Sequence, residues 1–353
     1  MRLLIDLSIL RHPYCGLGQV AMNYGRWIAA HPDAFPSDTH VTLLVPRSFI
    51  SQFSILNSQN RQPGHRVSIL KARPIYRILP CLMPRFDIWH SIHQLSPFRP
   101  VFPSTRRILT IHDLNFLYEK HGRKQARYLR RLQRECDSAA DICFISEYAK
   151  QDALKHLHLE NKRLHVIYNG VESLTQGPQA APPGIDPHQP FLLSIGVVKP
   201  KKNLHTLFPM MDQLEGYQLI IAGDNSSAYA RQLQAQLPQH PNISMIGPVD
   251  DNQRRWLYAH CSGLLFPSLA EGFGLPVIEA MQWGKPVFCS RMTSLPEIGG
   301  NAAFYFPDFN PNTMASTVKE RLSQFSNHNA QECIQHAAFF TYDRHMQSYL
   351  KLY

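Results

Sequence analysis

The chain has 353 residues, 44% of them hydrophobic, which predicts a globular protein of two domains and argues against a disordered one. No apolar run approaches the roughly eighteen residues of a membrane span, and the N-terminal apolar run is too short for a signal peptide. Seven cysteines form no Cys-x-x-Cys pair, so we expect a cytoplasmic protein with reduced thiols, soluble or peripheral at the inner face of the cell membrane.

The net charge of +10 is unevenly distributed. Residues 1–172 hold 24 basic and 13 acidic side chains, whereas residues 173–353 hold 12 and 13. The densest basic stretch is residues 123–134, in which Arg127, Arg130, Arg131 and Arg134 recur at helical spacing and share one face. Such a face attracts anionic lipid or nucleic acid, or it is simply solvated.

Short apolar runs recur along the first half of the chain. They lie at residues 2–7, 41–45, 106–111 and 142–145, each followed by polar residues and then by helical periodicity. Strands that alternate with helices predict a parallel α/β sheet. We therefore predict a Rossmann-like N-terminal domain over residues 1–172.

A segment rich in proline interrupts this alternation. Residues 175–190 contain five prolines and two glycines, which predicts an interdomain linker over residues 173–190. Beyond it the alternation restarts, and we predict a second doubly wound domain over residues 191–339. Its apolar runs lie at residues 191–195, 218–222, 243–246, 262–266 and 286–289.

The predicted fold class is therefore α/β, with two doubly wound Rossmann-like domains facing across a cleft. Ligands of open α/β sheets bind outside the carboxyl ends of the strands, and clefts between domains are favoured ligand sites. Residues that follow predicted strands are accordingly the candidates for function.

The most informative of these stretches is Glu-Gly-Phe-Gly-Leu-Pro-Val-Ile-Glu at residues 271–279. A glycine turn that becomes a helix places Glu271 in the loop and Glu279 about two turns inside. The backbone N–H groups of residues 273–277 are then the donors of a helix start, which suits an anion. Donors for a diphosphate, with carboxylates for ribose and hexose hydroxyls, suit a nucleotide sugar. The alternative is an amphipathic helix with two solvated glutamates.

With its flanks, this stretch resembles the GT-B glycosyltransferases of family 4, also called group 1. The flanks are Pro267-Ser268 before it, and residues 284–287 and 294–297 after it. The family comprises retaining enzymes that use nucleotide-activated sugars, and its Glu-x7-Glu signature is met by Glu271 and Glu279. The resemblance also implies that a final helix, at about 340–353, crosses back onto the N-terminal domain.

The resemblance implies a role for each residue of the stretch. Glu279 would bind the ribose hydroxyls, and Glu271 would bind the hexose hydroxyls. Backbone N–H groups and the close turn would come from Gly272, Phe273, Gly274 and Leu275.

A basic loop follows the run at residues 191–195. In the family this loop starts with a glycine, here Gly196, and carries a lysine that neutralises the diphosphate leaving group. Lys202 matches that lysine, and Lys201 matches a position that is often arginine. Val197 stands where the family often has an arginine, so one usual phosphate contact is either missing or supplied by Lys201. The alternative is a basic surface turn.

Gly16 and Gly18 follow the first strand. Glycines there let the backbone approach a ligand before a helix begins. The resemblance places this loop at the donor phosphate and the transferred sugar. The alternative is a tight strand-to-helix turn, because the dinucleotide fingerprint is incomplete.

Histidines follow two other strands of the first half. The resemblance places His112 near the transferred sugar and the acceptor, where it could orient a hydroxyl or shuttle a proton. Asp113 either braces this turn or contacts the acceptor. His90 and His93, after a short strand, are candidates for an acceptor wall. The alternative for each histidine is a structural one bonded to a carbonyl.

The sequence thus predicts retaining transfer of a hexosyl group from a UDP- or GDP-linked sugar to a hydroxyl of a glycan or lipid-linked acceptor. Cell-surface polysaccharide or lipopolysaccharide synthesis in bacteria is the expected setting. The predicted catalytic residues are His112, Lys202 and Glu271. No Asp-x-Asp occurs, so we expect neither a metal nor another cofactor.

Two alternatives stay open at this point. One is a nucleotide-sugar 2-epimerase of the same architecture. The other is a non-catalytic basic protein that binds nucleic acid or membranes, although the basic run carries no recognition motif for nucleic acid.

Overall fold

The computed structural model describes residues 1–11, 16–51, 53 and 67–353. They form two compact units. Unit 1 comprises residues 1–170 and 342–353, and unit 2 comprises residues 171–341. Each unit is built on its own parallel sheet, so the prediction of two doubly wound α/β domains is confirmed.

Seven parallel strands form the sheet of unit 1. They are β1 (Arg2–Asp6), β2 (His40–Val45), β3 (Val67–Lys71), β4 (Ile88–Ser91), β5 (Arg106–Ile111), β6 (Asp141–Phe144) and β7 (Arg163–Val166), in the spatial order β3-β2-β1-β4-β5-β6-β7. The described α-helices of this unit are Gly16–Ala30, Ile75–Ile78, Phe116–Glu119, Gly122–Asp137, Glu147–His156 and Tyr342–Leu350.

The central strands of unit 1 are apolar because helices cover both faces of the sheet. β1 is buried from Leu3 through Asp6, which is typical of a central parallel strand. The strand order reverses between β1 and β4, so the carboxyl ends of these two strands mark the topological switch point of this sheet.

Six parallel strands form the sheet of unit 2. They are β8 (Phe191–Ile195), β9 (Gln218–Ala222), β10 (Ile243–Gly247), β11 (Gly263–Phe266), β12 (Val287–Cys289) and β13 (Phe304–Tyr305), in the order β10-β9-β8-β11-β12-β13. The α-helices are Leu207–Met211, Ala228–Gln234, Asp251–His260, Leu275–Gln282, Leu295–Gly299, Pro311–Gln324 and Asn327–Ala337. The switch point lies between β8 and β11.

The C-terminal helix Tyr342–Leu350 belongs to unit 1 and is anchored there by polar contacts. Trp27 donates from its indole nitrogen to Asp343 at 2.7 Å, and the Tyr342 hydroxyl donates to the Val20 carbonyl at 2.9 Å. Beyond the helix, the Tyr353 hydroxyl lies 2.7 Å from the Tyr24 hydroxyl. The last twelve residues therefore complete the fold of the first unit.

The predicted linker at residues 173–190 is placed differently in the structure. The units divide at Gly170/Val171 and again at Thr341/Tyr342, so the whole proline-rich segment lies in unit 2. Its backbone is held there, because Leu174 N–H donates to Gln282 and Ala180 N–H donates to the Asn252 carbonyl. The prolines exclude regular structure, but they do not make this segment a boundary.

Within the described residues, no helix combines the length and the apolar character needed to cross a membrane. The six described cysteines are free thiols, and all of them except Cys81 are buried.

Candidate functional site

The switch point of unit 2 carries a small pocket at the carboxyl ends of β8 and β11. Gly196 follows β8 with a φ of +135°, a backbone conformation that favours glycine. Phe266, at the end of β11, forms the facing wall together with Pro267 and Ser268. The remaining lining residues are Ser194, Ile195, Lys202, Leu204 and Ile221.

Lys202 and Glu271 meet beside this pocket. The Lys202 ammonium lies 2.5 Å from Glu271 Oε1 and 4.6 Å from the centre of the Phe266 ring. Both charged side chains are largely buried, with 15% and 13% of their surface exposed. Lys202 closes the turn Pro200–Lys202, which is tied to the Glu271 loop because Leu269 N–H donates to the Lys201 carbonyl. The structure thus brings together two of the three predicted catalytic residues, while Lys201 contributes its backbone to the site's frame.

The turn after Glu271 is held from outside by two hydroxyl side chains. Glu271 N–H donates to Thr293 Oγ1 at 3.0 Å, and Ser294 Oγ lies 3.0 Å from the carbonyl oxygens of both Glu271 and Phe273. Sequence analysis used Ser294 only as a flank of the motif. The contacts show that the flank fixes the backbone of the Glu-x7-Glu turn.

The helix Leu275–Gln282 begins directly after Gly274, whose φ is +106°. A Cβ on Gly274 would lie 2.8 Å from Leu295 Cδ2, so both backbone angle and space call for glycine. The predicted run of backbone donors is shorter than residues 273–277, because Pro276 has no N–H and Val277 N–H donates to the Gly274 carbonyl at 3.0 Å.

Glu279 lies on this helix and is also held in place. Its Oε2 accepts a 2.7 Å hydrogen bond from the Tyr258 hydroxyl, and its Oε1 lies 3.6 Å from the Arg254 guanidinium. Burial and the neighbouring carboxylate hold the pKa of Tyr258 well above its usual range, so the phenol stays a donor. Both glutamates are therefore paired and largely buried, which argues against the interpretation of two solvated side chains.

Arg254 and Tyr258 are functional candidates that sequence analysis did not identify. They lie on the helix Asp251–His260, which Asp250 starts through a capping box with Gln253. Their spacing of four residues places them on one face of that helix. Nothing in the sequence links this face to Glu279, because the contact joins two separate helices and depends on how they pack.

Ser268 is a further residue whose contacts sequence analysis could not foresee. It is fully buried, lines the pocket, and its hydroxyl has no hydrogen-bond partner among the described residues. Its carbonyl is used, since it accepts a hydrogen bond from the Ser290 hydroxyl. A buried hydroxyl without a partner is uncommon and points to a ligand-facing role.

In unit 1, His112 follows β5 and is 5% exposed. Its Nε2 lies 2.7 Å from the Ile92 carbonyl, which only accepts, so Nε2 carries the proton and Nδ1 is an acceptor. Burial lowers the pKa of His112 to about 4. The ring is thus neutral near pH 7, and the two predicted roles of His112, orienting a hydroxyl and shuttling a proton, both stay predictions.

Gln94 was missed by sequence analysis and braces the same turn. Its Oε1 accepts from His112 N–H at 3.2 Å, and its Nε2 donates to the Asp113 carbonyl at 2.8 Å. The Asp113 carboxylate accepts from the backbone N–H and the side-chain amide of Asn115. Of the two interpretations of Asp113, bracing the turn is the one that the contacts support.

The prediction that His90 forms part of an acceptor wall is wrong. His90 lies inside β4 and is fully buried. Its Nδ1 lies 2.7 Å from the Tyr353 hydroxyl and its Nε2 lies 2.9 Å from Thr110 Oγ1, so both ring nitrogens have partners within the core. His93 follows the strand and is half-buried, so its acceptor role stays a prediction.

The glycine turn near the N-terminus is only partly described. Gly16 begins the helix Gly16–Ala30, and Gly18 is buried in its first turn. Residues 12–15, which precede this helix, lie outside the described residues. The predicted contact of Gly16 and Gly18 with a donor stays a prediction.

The described residues contain no cluster of side chains suited to binding a metal ion. No group of three or more histidine, cysteine, aspartate or glutamate side chains there is arranged to hold a metal ion. The polar side chains that line the unit 2 pocket are those of Lys202, Ser194 and Ser268, and Glu271 pairs with Lys202.

Comparison with known proteins places this geometry in a family. A family model described as "Glycosyl transferases group 1" matches residues 177–337, and one described as "Glycosyltransferase Family 4" matches residues 39–173. The chain is 26% identical to the O-antigen chain mannosyltransferase B of Escherichia coli over 337 residues, which covers 86% of this chain and 85% of that protein.

Solved structures of glycosyltransferases share the fold. Alr3699/HepE of Anabaena, determined in complex with UDP-glucose, superposes with a TM-score of 0.73 at 16% identity, over 100% of this chain and 99% of that chain. WaaG, a glycosyltransferase involved in lipopolysaccharide biosynthesis, superposes with a TM-score of 0.69 at 14% identity, over 99% and 98%. With both halves of the chain matched, the protein belongs to the family 4, or group 1, glycosyltransferases of the GT-B fold, as the motif at Glu271 and Glu279 predicted.

Proposed function

We propose that the protein transfers a hexosyl residue, with retention of configuration and without a metal ion, from a nucleotide diphosphate sugar to a hydroxyl of a glycan or lipid-linked acceptor. The observation that carries this proposal is the Lys202–Glu271 pair at the switch point of unit 2, beside the helix start that leads to Glu279. Bacterial cell-surface polysaccharide or lipopolysaccharide synthesis is the proposed setting.

Lys202 is proposed to serve the leaving group. In the structure Lys202 and Glu271 neutralise each other, and a bound diphosphate, with its greater negative charge, competes with Glu271 for the ammonium. When the bond between the anomeric carbon and the phosphate oxygen breaks, negative charge grows on that oxygen, and Lys202 stabilises it. Glu271, released from the pair, becomes an acceptor for the hexose hydroxyls.

Glu279 is proposed to hold the ribose. Tyr258 and Arg254 fix the rotamer of Glu279, so its carboxylate accepts ribose hydroxyls without first losing rotational freedom. The Ser268 hydroxyl and the N–H groups at Gly274 and Leu275 complete the polar surface for the donor. Gly196 is required by its φ of +135°, because an added Cβ would make only an ordinary contact with Lys202 Nζ, at 3.6 Å.

The acceptor hydroxyl is proposed to attack from the same face as the leaving phosphate. Its oxygen forms the new bond to the anomeric carbon, and its proton passes to the departing phosphate oxygen. This route needs no protein base, which agrees with a His112 that stays neutral and offers only Nδ1 as an acceptor. We propose that His112 orients a hydroxyl of the donor or the acceptor.

A mannosyl donor is the first hexose to test, because the Escherichia coli relative is named a mannosyltransferase. Either a GDP- or a UDP-linked sugar fits the chemistry described above, since the diphosphate and the ribose are common to both. Which hexose is used depends on a few pocket contacts.

The acceptor is proposed to be presented at an anionic membrane surface that attracts unit 1. On the helix Gly122–Asp137, Arg127, Arg130, Arg131 and Arg134 are exposed, while Leu132 is buried on the opposite side. Lipid headgroups attract such a face by about 1 kcal/mol for each basic side chain near the surface. The protein would then act as a peripheral cytoplasmic enzyme.

The test is a transfer assay with a panel of UDP- and GDP-hexoses in EDTA, with a bacterial lipid extract as acceptor. Proton NMR of the product should show one hexosyl residue with the anomeric configuration of the donor. A product of inverted configuration, strict dependence on added metal, or conversion of the donor to its 2-epimer without transfer would each contradict the proposal.

A further inference from the structure

The segment between β3 and β4 displays an unusual apolar surface. It folds as the short helix Ile75–Ile78 and the turn Pro80–Leu82. Ile78 is 75% exposed, Leu82 57%, Leu79 46% and Ile75 39%. Single exposed apolar side chains are ordinary on a protein surface, but four large ones within eight residues form an apolar patch. Such patches commonly mark a site of interaction with a protein or a membrane.

The core of unit 1 enforces this display. Tyr76 and Met83, from the same segment, are buried in a cluster with Phe86, Trp89 and Phe98. These anchors fix the backbone on both sides of the exposed side chains. The four exposed side chains are therefore held outward by the fold and cannot all turn inward.

The charged side chains within this segment all have one sign. Arg73, Arg77 and Arg85 are exposed, and no acidic residue occurs from residue 72 to residue 86. The Arg77 guanidinium lies 5.4 Å from the centre of the Phe98 ring, and Arg85 donates to Ser104 Oγ. Guanidinium groups thus flank the apolar side chains and have no carboxylate beside them in the segment.

We propose that residues 73–85 form a membrane-docking surface that binds an anionic lipid bilayer. Ile75, Ile78, Leu79 and Leu82 enter the boundary between headgroups and acyl chains, and the arginines bind the lipid phosphates. An apolar centre with basic neighbours is the arrangement that interfacial segments use, because each kind of side chain meets the layer that solvates it. The proposal rests on the proposed function, since it gives the enzyme a way to reach a lipid-linked acceptor.

A second copy of this chain fits the patch less well. A two-fold interface places the same surface on both partners, so the three arginines of one copy would face those of the other. A stable interface also buries about 800 Å² on each partner, far more than four partly exposed side chains supply. An anionic bilayer carries charge opposite to that of the arginines, and its area does not limit how much of the patch can be buried.

The first test is sedimentation of the full-length protein with vesicles of phosphatidylglycerol and phosphatidylcholine, and with vesicles of phosphatidylcholine alone. Wild type should bind the anionic vesicles and bind the neutral ones far more weakly. Ile78→Ser combined with Leu82→Ser should weaken binding at least about tenfold, because two apolar side chains no longer enter the bilayer. Arg73→Gln combined with Arg85→Gln should weaken binding and reduce its dependence on salt.

Matched control variants distinguish binding through this surface from non-specific adsorption of exposed apolar side chains to vesicles. Leu154→Ser and Phe339→Ser remove exposed apolar side chains elsewhere and should leave binding unchanged. Unaltered melting temperatures show that each variant is folded. The proposal would be overturned if the Ile78→Ser, Leu82→Ser protein bound vesicles as well as wild type does. It would also be overturned if wild type formed a concentration-dependent dimer and this variant did not.

A label on Cys81 gives an independent readout. Cys81 is exposed within the segment, and the other described cysteines are buried. In a Cys15→Ser background, an environment-sensitive fluorophore on Cys81 should shift to the blue with anionic vesicles; no shift contradicts docking through this segment. The vesicle assays contain no nucleotide, so they test membrane docking separately from the proposed function. If the protein bound vesicles but no nucleotide sugar, the proposed function would be refuted and the docking proposal would stand.

Discussion

At the residue scale, the site depends on charges that neutralise each other across short distances. Lys202 is held by Glu271, and Glu279 is held by Tyr258 and Arg254. Each pair links residues that are far apart in the chain, so each is a product of the fold. The consequence is a set of charged groups already oriented before a substrate arrives.

Replacing Lys202 tests the proposed leaving-group role. We expect Lys202→Met to lower kcat/KM about 10²- to 10³-fold, because the charge that develops on the phosphate loses its nearest cation. Lys199→Met, in the same loop but exposed, is the matched control and should change kcat/KM less than about twofold. Steady-state kinetics with the donor identified in the transfer assay measures both, and equal losses in the two variants would exclude a specific role for Lys202.

Replacing Ser268 should weaken donor binding without lowering the stability of the fold. Because its buried hydroxyl has no partner among the described residues, Ser268→Ala should leave the melting temperature unchanged or slightly raised. Donor affinity should fall about fivefold or more if the hydroxyl faces the donor. Titration calorimetry with the nucleotide sugar measures that fall.

Ser290→Ala is the matched control for Ser268. The Ser290 hydroxyl donates to the Ser268 carbonyl, so its loss should destabilise the fold by about 1 kcal/mol. Donor affinity unchanged in Ser268→Ala would show that this hydroxyl is only a structural irregularity.

At the element scale, the helix Leu275–Gln282 is the central part of the site. Its start is set by Gly274, its direction places Glu279 against Tyr258, and Ser294 holds the carbonyls of the turn before it. The sequence predicted the glycine turn and the helix after it, because turn residues carry local information. Glu279, however, lies about one turn inside that helix and not two, because the helix begins only at Leu275. It could not predict Thr293 and Ser294 as supports, because that support is a contact between two loops.

Gly274 is expected to tolerate no side chain. Gly274→Ala should destabilise the protein by about 1–3 kcal/mol and weaken donor binding, because φ is +106° and the new Cβ would contact Leu295. Gly184→Ala is the control: φ there is also positive, at +79°, but nothing lies within 4 Å of the added Cβ. Urea denaturation should show a clearly larger loss for Gly274→Ala, and equal losses would mean that contact with Leu295 is unimportant.

At the scale of the whole molecule, the strands were the most predictable part. The predicted run at residues 106–111 coincides with β5, and that at residues 191–195 coincides with β8. β3, β7 and β13 were not predicted, because they are edge strands that are short or have a less continuous apolar pattern. His90 was predicted to follow a strand, but it lies within β4. The sequence did not show where this short strand ends, and therefore did not show that the His90 ring is buried in the core.

Buried histidines predict how the whole fold responds to pH. Burial lowers the pKa of His90 to about 3 and the pKa values of His112 and His345 to about 4, below the usual value near 6.5. Between pH 6.5 and pH 4 the unfolded chain binds protons that the folded chain does not, so stability falls as pH falls. Each histidine should cost on the order of 2 kcal/mol between pH 7 and pH 5.

Urea denaturation at pH 7 and pH 5 measures this loss. His112→Gln cannot titrate at this position, so its stability should depend less steeply on pH than that of wild type. Stability of the wild-type protein that is independent of pH between 7 and 5 would contradict the burial of neutral histidines.

We propose that unit 2 binds a nucleotide diphosphate sugar through Lys202, Glu271 and Glu279 without a metal ion. The most direct measurement is a thermal-shift titration with UDP, GDP, dTDP and their sugars in EDTA, on wild type, Glu279→Ala and the exposed-site control Glu215→Ala. We predict that one nucleotide raises the melting temperature of wild type and of Glu215→Ala, and that Glu279→Ala loses this stabilisation. Stabilisation by none of the nucleotides, or equal stabilisation of Glu279→Ala, would contradict the account.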